Sequence, residues 1–510
     1  MKKIVRLLLV MLLGVMLVQC ANQGRVAGET PFNRRSELFS LTANGIPKFV
    51  EHFKTYHYTN FEMEGTIDIV LTSAERIEEI TVSPIRHGIE AVVDGNTARF
   101  TLPSEGWYLI DINGTHLAIL VDAKETNVPS LSDPNVIDVR TFAPHDYHLV
   151  QTEALQRAIN ETARAGQILF FPPGVHRTGM LTIPSNSQIY MARGALVKGS
   201  DNREDFPSDD GRLEADHINR PRGTFNCNGE WMTFSRLILI EGDNIHIWGR
   251  GTFDGNGTLI RAQGRPANLI RMRNASNVVI DGLILRDPAA WNSHILYSDN
   301  VVMRRVKLLN DFTVPNTDGF NPDASTNVLI ENVFAYCNDD NVAIKTTNNA
   351  GFLRDVENII VRHAVFFTRK SSLKVGTETK GAVMRDILFY DIDVIGSDRV
   401  MALYANDGAL FEDIRWINIR AERYVHDSQR RAIQFRITDR FGQSNIRNLL
   451  IQDVVIHDEF PNTSDMRGLN ANHTIDGIVF DNVTVAGRRV MSLEDFPLVI
   501  NDYVRNIEFR

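Results

Sequence analysis

Three aspartates within one short stretch, PNTDGFNPDASTNVLIENVFAYCNDDNVAIK from Pro315 to Lys345, are the residues best placed to do chemistry. Asp318 sits in an Asn-Thr-Asp-Gly tetrad, and Asp339 and Asp340 are an adjacent pair 21 residues after it. Scattered on loops, such carboxylates are solvated and inert. Stacked together, they repel, so that one is driven to keep its proton while another stays ionised. An acid and a base side by side are what general acid–base catalysis needs. Which case applies depends on the elements that carry them.

Those elements repeat. A residue Asn or Asp followed by a short β-branched or leucine-rich run occurs as Asn277-Val-Val-Ile, Asn300-Val-Val-Met, Asn327-Val-Leu-Ile, Asn358-Ile-Ile-Val and Asp386-Ile-Leu-Phe. It continues at Asp413-Ile, Asn448-Leu-Leu-Ile, Asp476-Gly-Ile-Val and Asn506-Ile-Glu-Phe, eight intervals averaging about 29 residues. A strand signal at this period predicts a solenoid, here a parallel β-helix; a propeller would need about 40 residues and four strands per blade. The Asn or Asp suits a corner that bends the chain and hydrogen-bonds from coil to coil. Equivalent positions on adjoining coils lie roughly 4.8 Å apart, which places Asp318 and Asp339 on adjacent coils of one face. Neighbouring strand residues point to opposite faces, so the backbone must bend or bulge if Asp339 and Asp340 are to share a cleft.

Further motifs stand in a fixed order from about Val136 onward. They are Ile168-Leu-Phe-Phe-Pro-Pro-Gly174, Thr178-Gly-Met-Leu, Gly249-Arg-Gly-Thr-Phe-Asp-Gly-Asn-Gly257, Trp291, the tetrad Asn316–Gly319, and Asn338-Asp339-Asp340 ahead of Val342-Ala-Ile-Lys345. In this order and spacing the set resembles the polygalacturonase-like glycoside hydrolases of family 28 and their dextranase relatives in family 49. The resemblance implies an all-β, right-handed parallel β-helix of the pectin-lyase-like kind. It also implies an inverting hydrolase of O-glycosidic bonds in a polysaccharide or oligosaccharide, pectin-type glycan favoured, with no cofactor and no metal. Inversion needs one carboxylic acid to protonate the leaving oxygen and one carboxylate to activate water on the opposite face of the sugar. By the resemblance Asp339 is the acid, Asp318 and Asp340 hold and deprotonate the water, and Asn316 belongs to the substrate-binding set.

Recognition is where this sequence departs from the family. Polygalacturonases carry a Gly-His-Gly segment on the next coil and an Arg-Ile-Lys triplet on the one after. Here Arg369-Lys-Ser-Ser-Leu-Lys-Val-Gly-Thr-Glu378 has no histidine, and Ala402 and Tyr404 stand where the arginine and lysine are expected. The missing pair would bind a uronate carboxylate by charge-assisted hydrogen bonds. The remaining candidates are Lys345 and Lys374, which bind an acidic group or neutralise the aspartates. Tyr404 stacks on a sugar or covers a coil, and Trp291 and His294 form a subsite wall or pack.

Upstream, Thr152–Ala165 reads as an amphipathic helix with Leu155, Ala158, Ile159 and Thr162 on one stripe and Gly166 as its stop. Residues 30–128 alternate in short runs such as Thr66–Val70 and Trp107–Ile112, broken by Asp94-Gly95-Asn96 and Asn113-Gly114. That pattern predicts a small antiparallel β-sandwich. It is followed by a proline-bearing connection and a β-helix domain over 135–510. A sandwich ahead of the β-helix is also the family 49 arrangement, which keeps a dextranase-like hydrolase of a neutral glucan as an alternative. A non-catalytic carbohydrate-binding β-helix is a second. A polysaccharide lyase fits less well, because it calls for calcium-binding acids and a basic proton acceptor.

The net charge of −9 argues against a nucleic-acid partner and favours solubility. At the N-terminus Lys2, Lys3 and Arg6 precede an apolar run, Leu7–Val18, too short to span a bilayer comfortably. Residues 1–20 therefore read as a signal peptide of lipoprotein type ending at Cys20, the lipidation candidate, with a polar linker over 21–29. Gln19 departs from the small residue usual before such a cysteine. The expectation is an exported bacterial protein held at a membrane only through that lipid. Cys227 and Cys337 form no disulfide framework or metal spacing and read as small buried hydrophobes.

Overall fold

The recurring Asn/Asp column builds the solenoid. In the computed structural model, which describes residues 32–207, 235–347, 354–380, 383–425 and 429–510, a right-handed parallel β-helix follows two five-stranded sheets. The signal segment with Cys20, the linker at 21–29 and Cys227 lie outside the described residues. Asn277, Asn300, Asn327, Asn358, Asp386, Asp413, Asn448 and Asn506 all have φ between 51° and 57°. Asn and Asp tolerate this left-handed region best among residues with a side chain. Their side chains join the coils: Asn300 Nδ2 donates to Asn277 Oδ1 at 2.7 Å, Asn358 to Asn327 at 2.7 Å and Asn506 to Asp476 at 2.6 Å. Asp476 itself is the exception, because the positive φ there falls on the next residue, Gly477, at 76°. A second corner column, Asn332, His363, Asp391, Asn418, Asp453 and Asn482, has φ between 51° and 56° and escaped the sequence reading.

Just past the first column, one inward position stacks from coil to coil. Val278, Val301, Val328, Ile359, Ile387, Ile414, Leu449, Ile478 and Ile507 are in parallel register. Burying each such side chain is worth about 1.5–3 kcal/mol, so the column acts as the spine of the core. Early coils divide at the corners into separate strands, Ser276–Asp281 and Ile284–Arg286 for example; later ones run through them, as in Val383–Ser397. The opposite wall is an eleven-stranded sheet from Leu181–Ile183 to Leu498–Ile500, and it carries the candidate site. The helix Thr152–Ala165 lies against the first coil with Leu155, Ala158, Ile159, Thr162 and Ala163 buried, and Gly166 ends it at φ 67°.

The N-terminal sheets run 46–48, 39–43, 67–73, 97–102, 92–94 and 51–53, 56–62, 115–122, 106–112, 80–83. They depart from the antiparallel expectation in one pair: Tyr56–Glu62 and Thr115–Asp122 run parallel, with Leu117 opposite His57. These strands are not joined by a hairpin, so nothing forces them antiparallel. Their sheet packs on the flank of the β-helix, where the Tyr56 ring lies 4.2 Å from that of Tyr336 at an angle of 34°, and Leu109 and Leu120 cluster with Leu309 and Phe334. Two buried charge clusters bind the same seam: Lys307 Nζ lies 2.9 Å from Asp122, and Arg286 bridges Glu51 at 2.7 Å and Asp254 at 2.8 Å.

Candidate active site

Each aspartate precedes a strand of the eleven-stranded sheet. Asp318 stands two residues before Phe320–Asp323, and Asp339 and Asp340 lie in the bend between Phe334–Cys337 and Val342–Thr346. The bend removes the strand's alternation at this pair. Phe320 is opposite Val342, and Gly319 N donates to Asp340 O at 2.8 Å, so Asp318 is level with Asp340 and one residue out of step with Asp339. Buried amides fix these corners: Asn292 Nδ2 donates to Asn310 Oδ1 at 2.8 Å, and Asn341 Nδ2 to the carbonyls of Ala335 and Phe367 at 3.1 and 3.0 Å. The glycine of the tetrad is required by contact, since a Cβ on Gly319 would lie 2.4 Å from Asn341 O.

The three carboxyls differ electrostatically. Burial alone would raise Asp340, but Lys374 Nζ at 2.6 Å, the nearby Arg399 charge and Ser371 N at 2.9 Å hold it below the ordinary range, so it is ionised. Asp318 is driven well above that range by burial and then by the charges of Asp339 and Asp340, which outweigh Lys345 at 3.8 Å. Asp339, partly exposed, is raised by loss of solvent and by the charge of Asp340. One fixed anion thus stands beside two carboxyls that burial and like charge drive toward the neutral form.

The cations at the centre are already paired. Burial would lower Lys345, yet Glu378 at 2.9 Å and Asp318 push its ammonium above the usual value, while Lys345 in turn holds Glu378 down at about 2. A bulge between Ile344 and Thr346 brings Glu378 into reach. Lys345 also lies 4.7 Å from the centroid of the buried Trp291 ring. His294 is only 2% exposed, meets Trp291 edge to face and donates to or accepts from Asp323 at 2.8 Å, with burial lowering its pKa. It therefore supports the wall from behind and presents no face to the cleft. Asn316 is exposed on the turn before Asp318 and accepts from Arg261 Nη2 at 3.2 Å.

Tyr404 lies on the far side of the aspartates with its ring 5.3 Å from Lys374 Nζ and its hydroxyl accepting from Arg399 Nη1 at 3.1 Å. Its hydroxyl also donates to Gln434. Glu378, Arg399 and Gln434 were missed as site residues. The first two stood in the very stretches searched for the family's histidine and arginine–lysine pair; Gln434 offers no sequence signal at all.

Against this geometry, the profile of Glycosyl hydrolases family 28 matches residues 220–424, a span that includes all three aspartates. Over that span the chain is similar to the family, and its relatives are polygalacturonase-like. A probable polygalacturonase of Vitis vinifera is 27% identical over 279 residues, which are 50% of this chain and 53% of that one. An exo-poly-alpha-D-galacturonosidase of Dickeya chrysanthemi is 24% identical over 268 residues, 43% of this chain and 44% of its own length. The chain thus spans about half the length of these curated relatives. Among solved structures, a hyperthermoactive exopolygalacturonase from Thermotoga maritima superposes with TM-score 0.56 at 19% identity, covering 72% of this chain and 94% of that one. Dex49A from Penicillium minioluteum does so with TM-score 0.59 at 12% identity, covering 96% and 97%. At that coverage the similarity in fold takes in the N-terminal sheets as well.

Proposed function

We propose that the protein hydrolyses O-glycosidic bonds of a pectin-type polysaccharide with inversion, Asp339 serving as the acid. The observation that carries this reading is the asymmetry of the triad: Asp340 is locked as an anion by Lys374, while Asp318 and Asp339 both resist ionisation. Lys345 near Asp318 favours the microstate in which Asp318 is the anion. Asp339 has no cation at ion-pair distance among the described residues and, as the more open of the two, is the carboxyl that a leaving oxygen can reach, so the proton given up is assigned to it. In the single displacement that follows, Asp339 gives this proton to the leaving oxygen as the glycosidic bond breaks. Water bonds to the anomeric carbon from the other face and yields its proton to Asp318 or Asp340.

The family match and the polygalacturonase relatives support the substrate class. The basic residues and apolar run ahead of Cys20 support export and a lipid anchor there. The test is release of reducing ends from polygalacturonan, rhamnogalacturonan, dextran and algal galactans by wild type and by Asp339→Asn. Loss of a general acid lowers the rate by ~10²–10⁴-fold. Turnover by Asp339→Asn at the wild-type rate would remove Asp339 from the role, and a first product with the anomeric configuration of the substrate would exclude inversion.

A further inference from the structure

Past the aspartates, the eleven-stranded sheet carries an outward row of Tyr404, Arg436 and Arg467, in register from coil to coil. The buried carboxylate of Asp465 lies beside it and answers three guanidiniums at once. Arg436 grips it with Nε to Oδ2 at 2.7 Å and Nη2 to Oδ1 at 3.0 Å, and Arg431 Nη1 donates to Oδ1. Gln434 Nε2 donates to the same oxygen at 3.0 Å, and Arg467 Nε stands 3.4 Å from Oδ2. No other carboxylate lies at ion-pair distance from these arginines among the described residues. One anion thus faces three permanent cations, and two positive charges are left over.

That surplus is open to solvent and still has donors. The Arg436 side chain is 38% exposed and that of Arg467 57%, on adjoining coils roughly 4.8 Å apart. Among the described residues Arg436 keeps Nη1 unspent, and Arg467 meets Asp465 at ion-pair range only. Two neighbouring guanidiniums with spare N–H groups suit an oxyanion that presents two oxygens. Arg436 is three strand spacings, roughly 14 Å, past the strand that follows Asp340, so a group bound there belongs to a unit distant from the bond being cleaved. Tyr404 spans the interval, level with Arg436 on one side and with its ring 5.3 Å from Lys374 Nζ on the other. The family's arginine–lysine pair would stand at 402 and 404; here the uncompensated charge stands one and two coils further on.

We infer that Arg436 and Arg467 form a subsite for the oxyanion of an acidic glycan unit, a uronate carboxylate or a sulfate ester, on the coils beyond Tyr404. The inference rests on the glycoside hydrolase reading for the course of the bound chain and adds where its charge is recognised.

Calorimetry on the Asp339→Asn protein tests it, with Arg467→Gln, Arg436→Gln and Arg488→Gln added singly to that background. The probes are oligogalacturonates, the same oligosaccharides fully methyl-esterified, and oligosaccharides of a sulfated galactan. Asp465 keeps Arg431 in every variant, so no buried charge is stranded. Arg467→Gln and Arg436→Gln are each expected to weaken binding of an anionic probe by ~10-fold and to leave the methyl ester unchanged. The anionic probe that loses affinity identifies the oxyanion. Arg488, exposed and paired with Glu459 on the other sheet, controls for net charge, and Arg488→Gln is expected to change nothing. No binding of either anionic probe, or an unchanged Kd for both in Arg467→Gln and Arg436→Gln, would overturn the inference. So would an equal loss for the methyl ester or in Arg488→Gln. Release of reducing ends is read separately: turnover by wild type no greater than by Asp339→Asn ends the hydrolase reading, while the calorimetry still decides the subsite.

Discussion

Lys374 reaches from one coil to the carboxylate of Asp340 on the coil before, Nζ to Oδ2 at 2.6 Å. This contact sets the charge pattern of the whole triad, because it keeps one member ionised in a place where burial favours the neutral acid.

Lys374→Met is therefore expected to raise the pKa of Asp340 and to move the ascending acid limb of the pH–rate profile to higher pH. A buried carboxylate deprived of its cation shifts by one or more pH units. Measuring kcat against pH for both proteins checks this; an unmoved limb would show that Asp340 is not the group titrating there.

Glu378→Gln acts on the other side of the triad, with the opposite sign. Without Glu378, Lys345 has only Asp318 as an ion-pair partner among the described residues and favours its anion more strongly. The shared proton of Asp318 and Asp339 is then held less tightly, so the descending alkaline limb is expected to move to lower pH, by about one pH unit.

Gly319→Ala tests the close approach of two coils. The added Cβ would fall 2.4 Å from Asn341 O, a backbone atom that cannot swing aside. Overpacking of this kind costs about 1–3 kcal/mol. Activity is expected to fall further than thermal stability, because the displaced segment carries Asp318; a variant that loses stability alone would show that Asp318 tolerates the shift.

Glu422 offers a test at the seam between the N-terminal sheets and the β-helix. Burial pushes it up to about 7, while its oxygens accept from Ser83 Oγ at 2.5 Å and Ile85 N at 2.7 Å, with Asp393 and Arg423 also in its field. A folded pKa above the unfolded one stabilises fully below the unfolded value near 4.5 and fades as pH rises through 7. Tm measured from pH 4.5 to 8 is expected to decline more steeply in wild type than in Glu422→Gln. Parallel curves would mean that Glu422 is ionised throughout.

Lys307→Met breaks a fully buried pair with Asp122 across the same seam. Asp122 keeps Arg193 at 3.3 Å and Arg250 at 3.5 Å after that loss, whereas Asp122→Asn takes the shared carboxylate from all three cations. Stranding a buried charge costs roughly 3–5 kcal/mol, so denaturant unfolding is expected to place Asp122→Asn below Lys307→Met.

The solenoid could be read from the sequence because its rule is local. Every Asn or Asp of the first corner column except Asp476 takes a left-handed φ by its own chemistry, and each β-branched run after it seeks the core, so the period alone implies stacked coils. The carboxylate pair and the tetrad were likewise legible as acid–base machinery from residue type and spacing. What only the tertiary structure decided was registration between coils of unequal length. Sequence distance could not say that Asp318 is level with Asp340, that a bulge would bring Glu378 onto Lys345, or that Tyr404 would meet Lys374 and Gln434. The parallel pair in the N-terminal sheets, and their docking through Asp122 and Lys307, were hidden for the same reason. Residue types determine which groups are present, but partners from distant coils determine their charge and reach, and those partners meet only when the chain has folded.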